Sequence, residues 1–307
     1  MIAVFAAVTL SAFAMAGRTD TTFAVGAETR LEIENFAGDV TVRTWGRSAV
    51  RIEAEHSSRT SVEISREGPR VSVKSEGRHG VPASVDYRIT VPPTVALKIS
   101  GVYNDVTVEG TRADVEVETV RGDVHVTGGG GHIVLHSVEG EVTLEGGRGR
   151  AELSSVNAGI TVRDHVGDLS AECVNGEVTL EDIGGATVDA STVNGDVVFD
   201  GDTRSGGRYT ITTHNGDITV ALPPRPDVSV SVTSYSGEFE SCFPVKVTST
   251  HRNKRMRFTL GSGSAELELE TFQGAIRLDC RGESAASETG RARERKKESD
   301  GKKEREP

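Results

Sequence analysis

Acidic residues recur at regular intervals through much of the chain, and they are the first candidates for chemistry. Each follows the central residue of a triplet such as NGE or NGD, and the acidic positions are Asp39, Asp105, Asp123, Glu141, Glu177, Asp196, Asp217 and Glu238. Carboxylates that stack on adjacent strands repel one another, and a bound calcium ion relieves that repulsion. Asp105, Asp123 and Glu141 are therefore candidate cation ligands. The alternative, which we favour, is that these side chains cap backbone amides at chain corners.

Other combinations that could form a reactive centre are weak. His132 and His136 are four residues apart, roughly 13 Å along a strand and too far to share one metal ion. A glycosidase needs clustered carboxylates with a base, usually in a groove walled by aromatic residues, and the chain has 1 Trp, 4 Tyr and 9 Phe. The sequence contains no G-x-S-x-G elbow or phosphate-binding loop. We predict no catalytic residue, no metal centre and no cofactor, and a polysaccharide-active β-helix enzyme is the least favoured alternative.

A sequence repeat determines where these residues lie. With the central residue of each triplet as position zero, the zeros are Gly38, Asn104, Gly122, Gly140, Ala158, Gly176, Gly195, Gly216, Gly237 and Gly274. Apolar residues recur two and four places after zero and five and seven places before it, which is the alternation of two short strands. A small, mostly hydroxylated residue lies three places before zero and is predicted to point inward. The period of about 18–21 residues predicts an all-β, parallel β-solenoid that resembles a β-helix.

Two segments interrupt the repeat. Residues 43–95 contain four alternating stretches that predict antiparallel strands capping the first coil, and residues 243–263 predict a hairpin-like insertion. The N-terminal run MIAVFAAVTLSAFAMA is apolar and ends in an A-x-A pattern, which is typical of a cleaved signal peptide. The predicted organisation is a signal peptide at 1–16, a linker at 17–28, the first coil and strand cap at 29–95, solenoid repeats at 96–281 and a disordered charged tail at 282–307.

Export would place the three cysteines in an oxidising compartment. Cys173 occupies a position that most other copies fill with Ser or Thr, which indicates a buried small residue. Cys242 and Cys280 lie near the ends of corresponding strands in the last two copies. Adjacent parallel strands place Cα atoms about 4.8 Å apart, within the disulfide range of roughly 4.4–6.8 Å. We therefore predict a disulfide between Cys242 and Cys280 that clamps the final coil, which is expected to have a neighbour on only one side.

Charge and hydropathy restrict the partners. The net charge of −11 argues against nucleic acid binding, and no second apolar run could span a membrane after signal cleavage. The expected location is the periplasm, the cell surface or the extracellular medium. The expected partner is a protein, a glycan or another surface ligand, and self-association through the solenoid faces is a further expectation.

Three stretches carry a family resemblance: LEIENFAGDVTVRTWGRSAVRIEAE, DYRITVPPTVALKISGVYNDVTVEG and GSGSAELELETFQGAIRLDC. Together with the chained GDV and NGD corners, they resemble the bacterial putative-adhesin family of unknown function with β-strand repeats, over residues 28–281. The resemblance implies a non-enzymatic, exported protein of the cell envelope that acts as an adhesin or interaction protein, with a structural or sensory scaffold as the alternative. It supplies no catalytic residues. The sequence departs from the pattern at Asn157-Ala158-Gly159, where no acidic residue follows zero.

Overall fold

A computed structural model describes residues 17–58, 60–77, 84–245, 249–250 and 255–281. These residues form strands and connections, and none of them belongs to a helix capable of crossing a membrane. The predicted signal peptide and charged tail lie outside the described residues. The chain divides into two units at residue 148, and each unit consists of two sheets.

The first unit contains thirteen strands. They are β1 (Arg18–Ala24), β2 (Arg30–Ala37), β3 (Val40–Thr44), β4 (Ala49–His56), β5 (Thr60–Glu67), β6 (Arg70–Gly77), β7 (Val85–Val91), β8 (Ala96–Tyr103), β9 (Val106–Thr111), β10 (Val115–Arg121), β11 (Val124–Gly128), β12 (Gly130–Glu139) and β13 (Val142–Glu145). Within this unit one sheet has the order β1-β4-β7-β3-β9-β11-β13, and the other has the order β5-β6-β2-β8-β10-β12. From β7 to β13 the chain alternates between the two sheets, so each repeat there contributes one strand to each.

The second unit contains fourteen strands. They are β14 (Arg148–Ser155), β15 (Ile160–Arg163), β16 (Leu169–Cys173), β17 (Val178–Ile183), β18 (Thr187–Asn194), β19 (Val197–Gly201), β20 (Arg208–Asn215), β21 (Ile218–Leu222), β22 (Val228–Ser236), β23 (Phe239–Ser241), β24 (Ser249–Thr250), β25 (Arg255–Leu260), β26 (Ala265–Gln273) and β27 (Ile276–Cys280). One sheet has the order β15-β17-β19-β21-β27-β23, and the other has the order β14-β16-β18-β20-β26-β22-β25-β24.

The apolar columns of the repeat form the core between the two sheets. Val117 pairs in parallel register with Ile99 on one side and Leu135 on the other, and all three side chains are buried. In the second unit, Leu180 lies between Val162 and Phe199 in the same way. Burying one such side chain is worth about 1.5–3 kcal/mol. Because identical columns stack on one another, the alternation within a repeat fixes its register, and the predicted parallel all-β fold is confirmed.

The N-terminal strands combine parallel and antiparallel pairing. β5 and β6 form an antiparallel hairpin, and β4 runs antiparallel to β7. β6 and β7 in turn pair in parallel with β2 and β3 and so add a further coil at this end. The prediction of antiparallel strands near the N-terminus is confirmed.

Residues 17–28 were predicted to be a linker, and this is wrong for most of the segment. β1 pairs antiparallel with β4 along its whole length. Its inward positions include Thr19 and Thr21, both of which are buried. The alternation is carried by threonine rather than by aliphatic residues, and the apolar pattern therefore does not reveal it.

The order of the last coils also differs from the sequence order. β26 lies between β20 and β22, and β27 lies between β21 and β23. The last repeat therefore fills a gap between the two repeats that precede it in sequence, and it has a neighbour on each side. The insertion at 243–263 contributes β24 and β25, which pair antiparallel with each other, and β25 pairs antiparallel with β22.

Candidate binding surface

The acidic column forms hydrogen bonds to the backbone of the neighbouring coil. In the first unit, Asp105 Oδ1 accepts the backbone N–H of Asp123 at 2.9 Å, and Asp123 Oδ1 accepts that of Glu141 at 2.8 Å. In the second unit, Asp196 Oδ1 accepts the backbone N–H of Asp217 at 2.8 Å. Each of these aspartates caps an amide one coil away, which is the role favoured from the sequence.

Asp105, Asp123 and Glu141 were also the candidate cation ligands. One oxygen of Asp105 and one of Asp123 already accept an amide hydrogen bond. Among the residues that the structure describes, no group of three or more His, Cys, Asp or Glu side chains could hold a metal ion. Burial, together with the nearby Asp86 and Asp105 carboxylates, raises the pKa of Asp39. Cation binding remains a prediction from the sequence alone.

The small residues three places before zero form a buried column that also links adjacent coils. Thr192 Oγ1 donates to the Gly176 carbonyl at 3.0 Å, and Thr213 Oγ1 donates to the Gly195 carbonyl at 2.9 Å. Cys173 occupies the same position, and its Sγ lies 3.1 Å from the Ala158 carbonyl oxygen. Burial raises the pKa of the Cys173 thiol, which keeps it protonated and unreactive. Cys173 therefore has the structural role that its position in the repeat predicts.

Asparagines one place before zero form an exposed column at the corner of the second unit. The Asn175 side-chain amide donates to Asn157 Oδ1 at 3.1 Å, Asn194 donates to Asn175 at 2.8 Å, and Asn215 donates to Asn194 at 2.8 Å. A primary amide has two N–H donors and two acceptor lone pairs. One donor and one acceptor link Asn175 and Asn194 to their neighbours, so each keeps one donor and one lone pair for other partners.

An exposed apolar row runs beside the asparagine column, two places before zero. We call it the corner ridge, and its members in spatial order are Val156, Val174, Val193, His214, Phe272 and Tyr235. The valines at 174 and 193 are 40% and 43% exposed, Phe272 is 39% exposed and Tyr235 is 60% exposed. His214 stacks on Phe272 with ring centroids 4.8 Å apart, and Phe272 stacks on Tyr235 at 4.9 Å. The ridge is thus a continuous apolar strip that ends in three stacked rings.

The rows on either side of the corner ridge are polar and carry no basic residue. One is the amide column, which continues into Gln273 and Ser236. The other lies four places before zero and consists of Ser154, Glu172, Ser191, Thr212, Glu270 and Thr233. The acidic column, with Asp196 and Asp217, follows just beyond the amides. The strip therefore offers apolar contact along its centre and hydrogen-bonding groups along both sides.

Sequence reasoning did not identify the corner ridge. Its signal was present, because the position two places before zero is Val, Phe, Tyr or His in every copy. Alternation places this position outward, because the residue three places before zero is buried, but the outward apolar residues of successive copies were not recognised as one continuous row. The stacking of Phe272 on both His214 and Tyr235 depends in addition on the altered order of the last coils.

Cys242 and Cys280 form a disulfide in the structure, with Cα atoms 5.9 Å apart. Cys242 follows β23 and Cys280 ends β27, two adjacent parallel strands. The bridge joins the end coil of the second unit to the penultimate one. The expectation that it clamps a final coil with a single neighbour is corrected, because β27 is also paired with β21.

The family model Toastrack DUF4097 matches residues 28–279, which is most of the described chain. The chain belongs to the Toastrack DUF4097 family. The resemblance to a β-repeat family is thereby confirmed, and the match runs from the first coil to β27. No curated protein matches the chain.

The solved structures that this chain resembles include proteins from several bacteria. A putative adhesin from Bacteroides fragilis is 13% identical, with 85% of this chain and 96% of that chain covered and a TM-score of 0.38. A putative adhesin from Parabacteroides merdae is 8% identical, with the same coverage and a TM-score of 0.37. A putative cell adhesion protein from Clostridium sporogenes is 10% identical, with 86% and 100% covered and a TM-score of 0.23.

Proposed function

We propose that this family member is an exported, non-enzymatic interaction protein of the bacterial cell envelope that binds surfaces through its coil corners. The observation that carries the proposal is the corner ridge. Large side chains such as Phe272 and Tyr235 remain in contact with water in the folded chain, and contiguous exposed apolar patches are typical of interaction sites.

The hydrogen bonds of the aspartates and of the free cysteine support a non-enzymatic role. The aspartates that could act as acids or bases cap amides of adjacent coils. The one free cysteine is buried and bonded to a carbonyl oxygen. The repeat thus uses its chemically capable side chains to join coils, while the ridge and its polar flanks face the solvent.

Binding of the purified full chain to isolated bacterial envelope fragments tests the proposal. We expect saturable co-sedimentation with the fragments at physiological salt and no release of new reducing ends or peptides during incubation. Heat-denatured protein that has been cleared of aggregate is the control for non-specific adsorption. Absence of saturable binding would contradict an interaction role, and cleavage of any envelope polymer would contradict a non-enzymatic one.

A further inference from the structure

The corner ridge is too narrow to hold two copies of the chain together. Six coils at about 4.8 Å per step give a strip about 24 Å long, and a width of roughly 10 Å gives about 240 Å². A stable protein–protein interface buries about 800 Å² on each partner. The ridge therefore suits a thin, extended ligand better than a second copy or a globular protein.

The electrostatics of the strip exclude another class of ligand. Neither the ridge nor the two rows beside it contains Lys or Arg, whereas Asp196, Asp217 and Glu238 lie nearby. The chain carries a net charge of −11. Arg255 contacts the strip at one end, where its Nε donates to Thr233 Oγ1 at 3.2 Å. Elsewhere along the strip a polyanion or an anionic membrane would meet carboxylates, and the uncharged amides beside the ridge suit a neutral ligand better than a cation.

The alternation of polar and apolar rows indicates the chemical class of the ligand. A sugar ring has an apolar C–H face and a rim of hydroxyl groups, so a linear polysaccharide has apolar faces and hydrogen-bonding edges. The ridge supplies the apolar contact, and Tyr235 at the end of the aromatic stack is its most exposed member. The amides of Asn175 and Asn194 each keep one donor and one acceptor after their mutual bonds, and Ser191 and Thr212 lie on the other side.

From this juxtaposition we propose that the corner ridge of the second unit binds a neutral, linear polysaccharide, laid along the coil axis with sugar faces on the ridge and hydroxyl groups on the amide column. The proposal rests on the proposed function and names its ligand class. The amide column repeats once per coil, so successive sugars meet similar groups and affinity accumulates with chain length.

Native affinity electrophoresis of the full chain tests this site. The gels contain soluble glucans, galactomannan or mannan as neutral polymers, and polygalacturonate as the anionic comparison. We expect retardation by at least one neutral polymer and none by polygalacturonate. Tyr235→Ala should weaken the apparent affinity roughly threefold to tenfold, since one aromatic contact has about that effect, and Tyr235→Phe should retain most of it.

Tyr103→Ala is the matched control, because Tyr103 is also exposed, at 48%, but belongs to the first unit and not to the ridge. Thermal unfolding of each variant verifies that it is folded. The proposal is overturned if no neutral polymer retards the wild type, if Tyr235→Ala binds as the wild type does, or if only polygalacturonate retards the chain. A concentration-dependent dimer that Tyr235→Ala abolishes, without polysaccharide retention, would assign the ridge to a second copy instead.

The outcomes also separate this proposal from the broader one. If envelope fragments bind the wild type and Tyr235→Ala equally, the ridge is not the site while the interaction role stands. If neither envelope fragments nor any polymer binds the wild type, both proposals fail.

Discussion

Four glycines in the first unit allow the cost of coil-to-coil contact to be measured separately from the cost of backbone conformation. A Cβ atom at Gly140 would lie 2.0 Å from the Gly122 carbonyl oxygen, although Gly140 itself has no left-handed backbone. Gly68 has the opposite property, with φ of +61° and no atom within 4 Å of the added carbon. Gly122 combines both, with φ of +125° and the Asn104 carbonyl oxygen at 2.1 Å, and Gly26 has neither.

The expected losses of stability follow from these two terms. An L residue in the left-handed region costs about 1 kcal/mol, so Gly68→Ala should destabilise by about that amount. Gly140→Ala forces two coils apart at a backbone contact and should cost about 2–3 kcal/mol, in the range of overpacked cores. Gly122→Ala combines strain and contact and should cost about 3–4 kcal/mol. Gly26→Ala should change stability by less than about 0.5 kcal/mol.

Urea denaturation of the four full-length variants, followed by far-UV circular dichroism, gives the free energies of unfolding. We expect the order Gly122, Gly140, Gly68, Gly26 from the most to the least destabilised variant. If Gly140→Ala lowers the free energy of unfolding no more than Gly68→Ala does, the corners tolerate an added methyl group. Close contact between coils would then not explain why glycine occupies position zero.

Two further predictions concern the second unit. Reduction of the Cys242–Cys280 bridge, which closes a loop with a sequence separation of 38, should lower the free energy of unfolding by about 4 kcal/mol in the chain-entropy model. Peptide mapping under non-reducing conditions should recover Cys242 linked to Cys280. A disulfide between either residue and Cys173 would contradict the predicted pairing. Hydrogen bonds from Ser262 and Ser264 lower the pKa of Asp227 to about 2 from its ordinary 3.8, so its stabilising contribution should be complete above pH 4 and lost as the pH falls through about 2. Asp227→Asn should remove the loss of stability between about pH 4 and pH 2 that the urea midpoint of the wild type shows. If the urea midpoint of the variant has the same pH dependence as that of the wild type, the Asp227 carboxylate does not stabilise the turn at Ser262–Ser264.

Much of the fold could be predicted because each repeat has the same columns. Val117, Leu135 and Ile99 stack in register because a one-residue slip would turn an apolar column towards water. The inward position of Cys173, in the column that most other copies fill with Ser or Thr, could be predicted for the same reason. Identical columns, however, specify how two coils pair and not which coils are neighbours, and the placement of the last repeat could not be predicted from periodicity.

The binding surface was less predictable because it is formed by one outward apolar residue from each of several coils. The acidic column was recognised, and its capping role was preferred over cation binding. The ridge residues Val193 and Tyr235 lie at outward positions of the strand alternation, but single apolar residues on a surface are common and do not by themselves indicate a continuous row. The stack of Phe272 between His214 and Tyr235 requires two coils that are distant in sequence to be adjacent in space.

The placement of β26 between β20 and β22 has a consequence for the order in which the exported chain folds. If the chain folds from its N-terminal end, the slot beside β20 must stay open until roughly 40 further residues have emerged. During that time β22 can dock there, because its columns match those of β20 as well as those of β26 do. Such premature docking would leave the last repeat without its native slot, and a chain released in that state must open a formed coil before it can mature. A bond between Cys242 and Cys280, made only after both coils are seated, would make the correct order of assembly irreversible.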